Sequence, residues 1–276
     1  MSSLSKPSIG VIIVAHKRQE FIHRAVESVI TQRIKAEKVV VVKSFMESQL
    51  DLELKKNGVI NLFTELISEG DKILEALREL STEVVCFLED DDYFSPGKIE
   101  WVQEVFQEDV TFFHNGFVSI DDQQKILTPE ETSNLKVIDE EMKIPKTLDL
   151  NRIRFLQDIG FSFNLSSISI RSDIIKGNYL KGVSTGIDNI LFVKSIEKGT
   201  VIHQPDPLTI YRYHHPTSSS PSEEADNYIK WIHLYLNSLK NFKGNNTTQL
   251  ANKWASAMIR RLERKLLISR IGKLVK

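Results

Sequence analysis

The sequence has 276 residues, 41% apolar and 26% charged, which excludes a disordered chain and leaves room for one large domain or two small ones. A formal net charge of −1 excludes a global field that would recruit nucleic acid. A single cysteine, Cys86, excludes an intramolecular disulfide framework and suits a reducing, cytoplasmic setting.

The first apolar run, "IGVIIVA" at 9–15, is too short to span a bilayer. It runs straight into His16-Lys17-Arg18 with no small-residue cleavage site, so it reads as a buried strand and not as a leader. "KVVVV" at 38–42 is a second β-branched run, and Phe21, Ile22, Ala25, Val26, Val29 and Ile30 recur between them at helical spacing. A third run covers 59–63, Leu74, Leu77 and Leu80 mark a helix after Gly70, and 84–88 is the next strand. Continuous β-branched runs alternating with helices predict an open, mostly parallel α/β sheet with helices on both faces. Ser95-Pro96 predicts a helix start, with Ser at the cap and Pro at the first helical position.

Beyond Thr111 the pattern changes. "TFFHNGFVSI" and "NLSSISI" read as strands of antiparallel type, the polar stretch 121–150 as a mobile loop, and 218–226 as a linker. Two helical stretches follow, at 226–242 and 248–270. The sequence has no internal repeat and no zinc-spaced Cys/His cluster.

The strand at 84–88 stops at Glu89-Asp90-Asp91-Asp92. Four adjacent carboxylates repel one another, and ligands of open α/β sheets bind beyond the carboxyl ends of strands. Carboxylate oxygens suit Mg²⁺ or Mn²⁺, and Mg²⁺ takes one or two carboxylates together with substrate phosphates. One reading is therefore a metal–diphosphate site. The other is a solvated acidic turn that caps the next helix.

Six segments in order carry a resemblance. They are "IGVIIVAHKRQEFIHRAVESVITQ", "KVVVVKSF", "SEGDKILEAL", "CFLEDDDYFSPGKIEWV", "STGIDNILFVKSIEKG" and "LTIYRYHHPTSSS". Together they resemble the GT-A glycosyltransferases of the inverting family 2 type over about the first 215 residues. The resemblance implies a GT-A domain at 1–220, with a donor half to about residue 115 and an acceptor half at 116–220, and a helical extension at 221–276. It implies Asp188 as general base and Asp91, Asp92 and His214 around a Mn²⁺ or Mg²⁺ ion. It implies donor contacts from Ala15, His16, Arg18, Lys43, Glu89, Asp90 and Arg212.

The sequence departs from that pattern in three places. Lys43-Ser44 stand where the family has an acid that holds the nucleotide base. Ala15-His16-Lys17-Arg18 replaces Pro-Thr-Tyr-Asn. Ile187, not Glu, precedes Asp188.

On the residues alone, Asp188 is equally a first-turn helix acid, His16 a strand end, and His214 and His215 loop histidines. Asn164, Ser166 and Ser167 suit either an acceptor site or hydrogen bonds within the sheet. The implied activity is metal-dependent, inverting transfer from a nucleotide-sugar donor to a hydroxyl of a glycan or lipid-linked glycan. The alternatives are a nucleotidyltransferase and a non-catalytic nucleotide- or glycan-binding protein.

Near the end, Trp254, Met258, Leu262 and Leu266 form an apolar stripe, and eight Lys/Arg against one acid, Glu263, lie between Lys253 and Lys276. Such a helix suits peripheral contact with a membrane surface. It equally suits packing on its own domain or on a second copy in a homo-oligomer.

Overall fold

The computed structural model of the chain describes residues 6–16, 18–106, 109–213, 225–246 and 248–274. A nine-stranded sheet runs through them in the order β3-β2-β1-β4-β8-β6-β9-β5, with β7 on β9. Strands β1 (Ile9–Ala15), β2 (Lys38–Lys43), β3 (Ile60–Phe63) and β4 (Val84–Glu89) are parallel.

The β-branched runs have a simple cause. In β1, Ile12 and Val14 enter one core while Ile9, Val11, Ile13 and Ala15 enter the other. A strand covered on both faces has no use for alternation. Helices α1 (Gln19–Ile30), α2 (Ser48–Lys56) and α4 (Lys98–Val105) supply Val26, Leu50 and Ile99 to the second core. Helices α3 (Glu69–Ala76), α5 (Leu150–Asp158), α6 (Ile187–Ile196), α7 (Ala225–Asn245) and α8 (Gln249–Leu274) build the first, with Ile73, Ile153, Phe192, Phe242 and Trp254.

Three sequence expectations are corrected. Helix α4 begins at Lys98 behind Gly97, which takes φ 100°, and not at Ser95-Pro96. Tyr93 and Phe94 are drawn into β5, and the Ser95 hydroxyl donates to Pro207 O at 2.7 Å instead of capping a helix. The later strands are mixed. β6 (Val110–Ile120) is antiparallel to β8 (Ile168–Arg171) but parallel to the long β9 (Thr200–Arg212). The polar stretch 121–150 contributes β7 (Met142–Ile144), antiparallel to β9.

The apolar stripe of α8 is internal. Trp254, Leu262 and Leu266 are buried in the core shared with the sheet, so the packing reading holds for the stripe. Its outer side carries the exposed Leu267 and Ile268, and Arg260, Arg261, Arg264 and Lys265 share a groove there with Arg154. Among the described residues no helix is long and apolar enough to cross a membrane.

Candidate active site

The four acids end β4 and enter a tight turn in which Asp92 N donates to Glu89 O at 3.3 Å. Glu89 is half-buried, and the three that follow it are not solvated. Asp90, Asp91 and Asp92 are 0%, 6% and 2% exposed, which removes the solvated-turn reading. The neighbouring chain holds this turn closely. Glu89 N donates to Ser166 Oγ at 3.0 Å, His16 N to Asp90 Oδ2 at 2.8 Å, and Arg212 N to Asp92 Oδ1 at 2.8 Å.

Charge decides the rest. The Arg18 guanidinium, in the loop after β1, pairs with Asp90 Oδ1 at 2.7 Å and also with Asp91. Burial opposes the charge on Arg18, but Asp91 and Asp90 raise its pKa above the usual value, so it stays cationic. One guanidinium does not balance four acids. Burial, followed by the charge on Asp91, pushes Asp92 up to about 8. Burial, followed by Glu69 and Asp91, holds Glu89 well above the carboxylate range.

Arg212 is 3% exposed and clamps the turn. Its Nε donates to Asp91 O at 3.2 Å, an Nη donates to Asp121 O at 2.9 Å, and its Cζ lies 4.2 Å from the Phe21 ring centre.

The other predicted donor residues divide. Ala15 is buried, and its carbonyl accepts from Lys72 Nζ at 2.9 Å. His16 Nδ1 lies 3.1 Å from the same ammonium. Burial, with Lys72 beside it, lowers the His16 pKa to about 4. Lys43 turns away from the acids. It is 0% exposed, pairs with Asp51 at 2.9 Å and donates to Phe45 O at 2.8 Å. His214 and Lys17 lie outside the described residues.

A cleft of about 300 Å³ opens beside the acids and contains Arg18, Glu89, Asp91 and Arg212. Another part of its wall is the start of α6, with Gly186, Ile187, Asp188 and Asn189. Asp91 and Asp188, 97 positions apart by numbering (188 − 91), thus line one cleft.

Gly186 makes that wall possible. Its φ is 76°, and a Cβ there would lie 2.3 Å from Tyr235 Cε2, so only glycine fits. Burial raises the Asp188 pKa to about 6, against the pull of Asn189 N (2.8 Å) and Asn189 Nδ2 (3.1 Å) on Oδ1. A base is most effective when its pKa lies near the working pH.

Several lining residues escaped the sequence reading. Glu69 opens α3, and burial, followed by the charge of Asp188, raises it to about 7. Phe163, Tyr211, Trp231 and Tyr235 add an aromatic wall, two of them from α7. Asn164 lines the cleft, whereas Ser166 and Ser167 are fully buried beneath it. No short-range pattern marks these positions as a group; packing brings them together.

The donor set fits a hard divalent cation. Asp91 faces the cleft, and Asp92 Oδ2 is buried without a hydrogen-bond partner among the described residues. The described residues contain no group of three His, Cys, Asp or Glu side chains that could hold a metal ion.

Comparison with known proteins supports the same architecture. The sequence matches the profile of glycosyl transferase family 2 over residues 10–164. TarS 1–349 of S. aureus in complex with UDP aligns with a TM-score of 0.58 at 12% identity, covering 94% of this chain and 70% of that one. Its complex with UDP-GlcNAc aligns with 0.57 at 14%, covering 96% and 73%. A mannosyltransferase, PcManGT from Pyrobaculum calidifontis, in complex with GDP-Man and Mn²⁺, aligns with 0.58 at 14%, covering 96% and 74%. At these identities the likeness is one of fold, and that fold is GT-A. No curated protein matches the chain.

Proposed function

This chain belongs to glycosyl transferase family 2 and is a glycosyltransferase, and we propose that it moves a sugar from a nucleotide-sugar donor to a hydroxyl acceptor with inversion. The acceptor class we assign is a glycan or a lipid-linked glycan. The observation that carries this reading is the shared cleft, which brings Arg18, Asp91 and Arg212 together with the half-buried Asp188, whose pKa is raised to about 6.

Donor binding falls to the strand end. The diphosphate lies against Arg18 and Arg212, with Glu89 and Asp90 beside it. Asp91 and Asp92 would hold Mn²⁺ or Mg²⁺, a role the family resemblance extends to His214. The bound ion supplies Lewis-acid neutralisation of charge on the leaving diphosphate.

At the start of α6 Asp188 accepts the proton of the acceptor hydroxyl as that oxygen attacks the anomeric carbon. The new carbon–oxygen bond forms while the bond to the diphosphate breaks, and the electron pair leaves with the nucleoside diphosphate. Attack opposite the leaving group gives inversion. The aromatic wall, apolar in body and polar at its tyrosine and tryptophan tips, suits a sugar ring. It also keeps water from the donor.

In this reading residues 1–220 form the transferase domain, and 221–276 form an extension whose α7 completes the acceptor side through Trp231 and Tyr235. The enzyme works in the cytoplasm, with peripheral contact to an anionic membrane through the outer basic side of α8.

A thermal-shift panel tests it. UDP or GDP with Mn²⁺ is expected to raise the Tm of the wild type, since binding to the folded state stabilises it, and to do so far less in Asp91→Asn. Absence of any shift across nucleoside diphosphates with Mn²⁺ overturns it.

A further inference from the structure

Asp188 is the inner end of a chain of hydrogen bonds that reaches the C-terminal helix. Trp254 Nε1, on α8, donates to Gln157 Oε1 on α5 at 2.9 Å. Gln157 Nε2 donates to Asn189 Oδ1 at 2.8 Å, and Ser162 Oγ donates to the same oxygen at 3.1 Å. Asn189 Nδ2 donates to Asp188 Oδ1 at 3.1 Å, alongside Asn189 N at 2.8 Å.

The direction of this chain is fixed at both ends. An indole N–H only donates, and an ionised carboxylate only accepts. The Trp254 N–H therefore turns the Gln157 oxygen toward itself and the Gln157 amide group toward Asn189. That in turn leaves the Asn189 amide group no orientation except toward Asp188. Trp254 and Ser162 are buried, at 1% and 2% exposure, so water does not readily replace either donor.

We infer that Trp254, Gln157 and Asn189 are positioning residues for the base: they hold one oxygen of Asp188 by a one-way relay and leave the other, Oδ2, to take the acceptor proton. The relay does two things. It fixes the rotation of the carboxyl group. It also stabilises the ionised form with hydrogen bonds, which limits how far burial raises the pKa. The C-terminal helix thereby acts on the reaction without touching substrate. This inference rests on the reading of Asp188 as the base.

The test needs no substrate. In protein labelled with ¹³C at aspartate carboxyls, the Asp188 signal is identified by its loss in Asp188→Asn and titrated in the wild type, where its midpoint is expected near 6. Asn189→Leu removes the side-chain donor, leaves the backbone N–H in place, and should raise the midpoint by up to about one pH unit. Gln157→Leu and Trp254→Phe should raise it by progressively less, in that order.

If Asn189→Leu moves the midpoint while the other two leave it at the wild-type value, the interaction is local and the relay is overturned. It is overturned equally if none of the three moves the midpoint. Should Trp254→Phe fail to fold, the half-buried Gln157→Leu carries the same test. Failure of the base reading shows elsewhere, as undiminished transfer by Asp188→Asn.

Discussion

At the strand end of the cleft, Asp90 and Asp91 are held by a guanidinium, Arg18. At the helix end, Asp188 is held by the backbone and side-chain N–H groups of Asn189. Both ends bury carboxylates, yet the physical problem differs. Four adjacent acids need positive charge, and Asp92, buried and beside the charge on Asp91, rises to about 8. Asp188, half-buried and with only Glu69 as an acidic neighbour named here, needs only enough hydrogen bonding to ionise near neutrality, and it settles at about 6. The first arrangement suits holding an anionic donor through cations. The second suits taking up a proton. Removing charge should therefore have opposite consequences at the two ends.

The largest effect belongs to Asp188→Asn. Loss of a general base is expected to lower transfer by about 10²–10⁴-fold, with donor affinity retained, as read by product formation and by calorimetry with donor and Mn²⁺. The same variant should be more stable than the wild type at pH 7. The sign follows from linkage. The folded-state pKa of about 6 lies above the ordinary aspartate value of 3.8, so between those values the folded state binds more protons than the unfolded one. Stability contributed by this group is lost as pH rises through that window, and asparagine removes the loss. A variant that is both inactive and less stable breaks the comparison.

Arg18→Met probes the other end with the opposite sign. Removing the guanidinium leaves Asp90 and Asp91 without their counter-ion. Denaturant unfolding should show a loss of about 2 kcal/mol, a figure already reduced for the one-third exposure of the Arg18 side chain. Mn²⁺ should recover part of that loss, raising the Tm of the variant more than that of the wild type. A variant as stable as the wild type without Mn²⁺ shows that the acids do not depend on Arg18.

The acid limb of the transfer profile sharpens the same contrast. Transfer, measured as kcat/KM, should fall about tenfold per pH unit below about 6, as Asp188 takes up its proton. The nearby Glu69, raised to about 7, makes Glu69→Gln informative. Glu69 is mostly protonated where Asp188 titrates, so the limb should stay at its wild-type position. Movement toward lower pH would show Glu69 ionised beside Asp188 in that range.

Which parts of this were legible in the sequence follows from how local each cause is. The parallel strands β1, β2 and β4 were readable because burial on both faces writes an unbroken β-branched run. The strand β9 was not. Pro205, Asp206 and Pro207 interrupt it, and its pairing with β6 shifts register around Gly116. Glu89, Asp91 and Asp188 stand out by their order along the chain and line one cleft, but Glu69, Trp231 and Tyr235 enter it from α3 and α7 through packing alone. Ser95-Pro96 misled because a helix-start pair is also a turn, and here it lies between the short strand β5 and Gly97, with α4 beginning at Lys98.

Lys43 is where the smallest effect is expected. It ends β2 at the position where the family resemblance calls for an acid near the nucleotide base, and its replacement there is conspicuous in the sequence. Its ammonium, however, is fully buried against Asp51 and Phe45 O, and it does not line the cleft. A buried cation already paired stays with its partner, because turning it toward a ligand would leave Asp51 unpaired. Lys43→Met should therefore lower stability while changing nucleoside diphosphate affinity by less than about twofold, or 0.4 kcal/mol. A loss of tenfold or more, with stability unchanged, would move Lys43 into the donor site and extend the charged end of the cleft to the edge of β2.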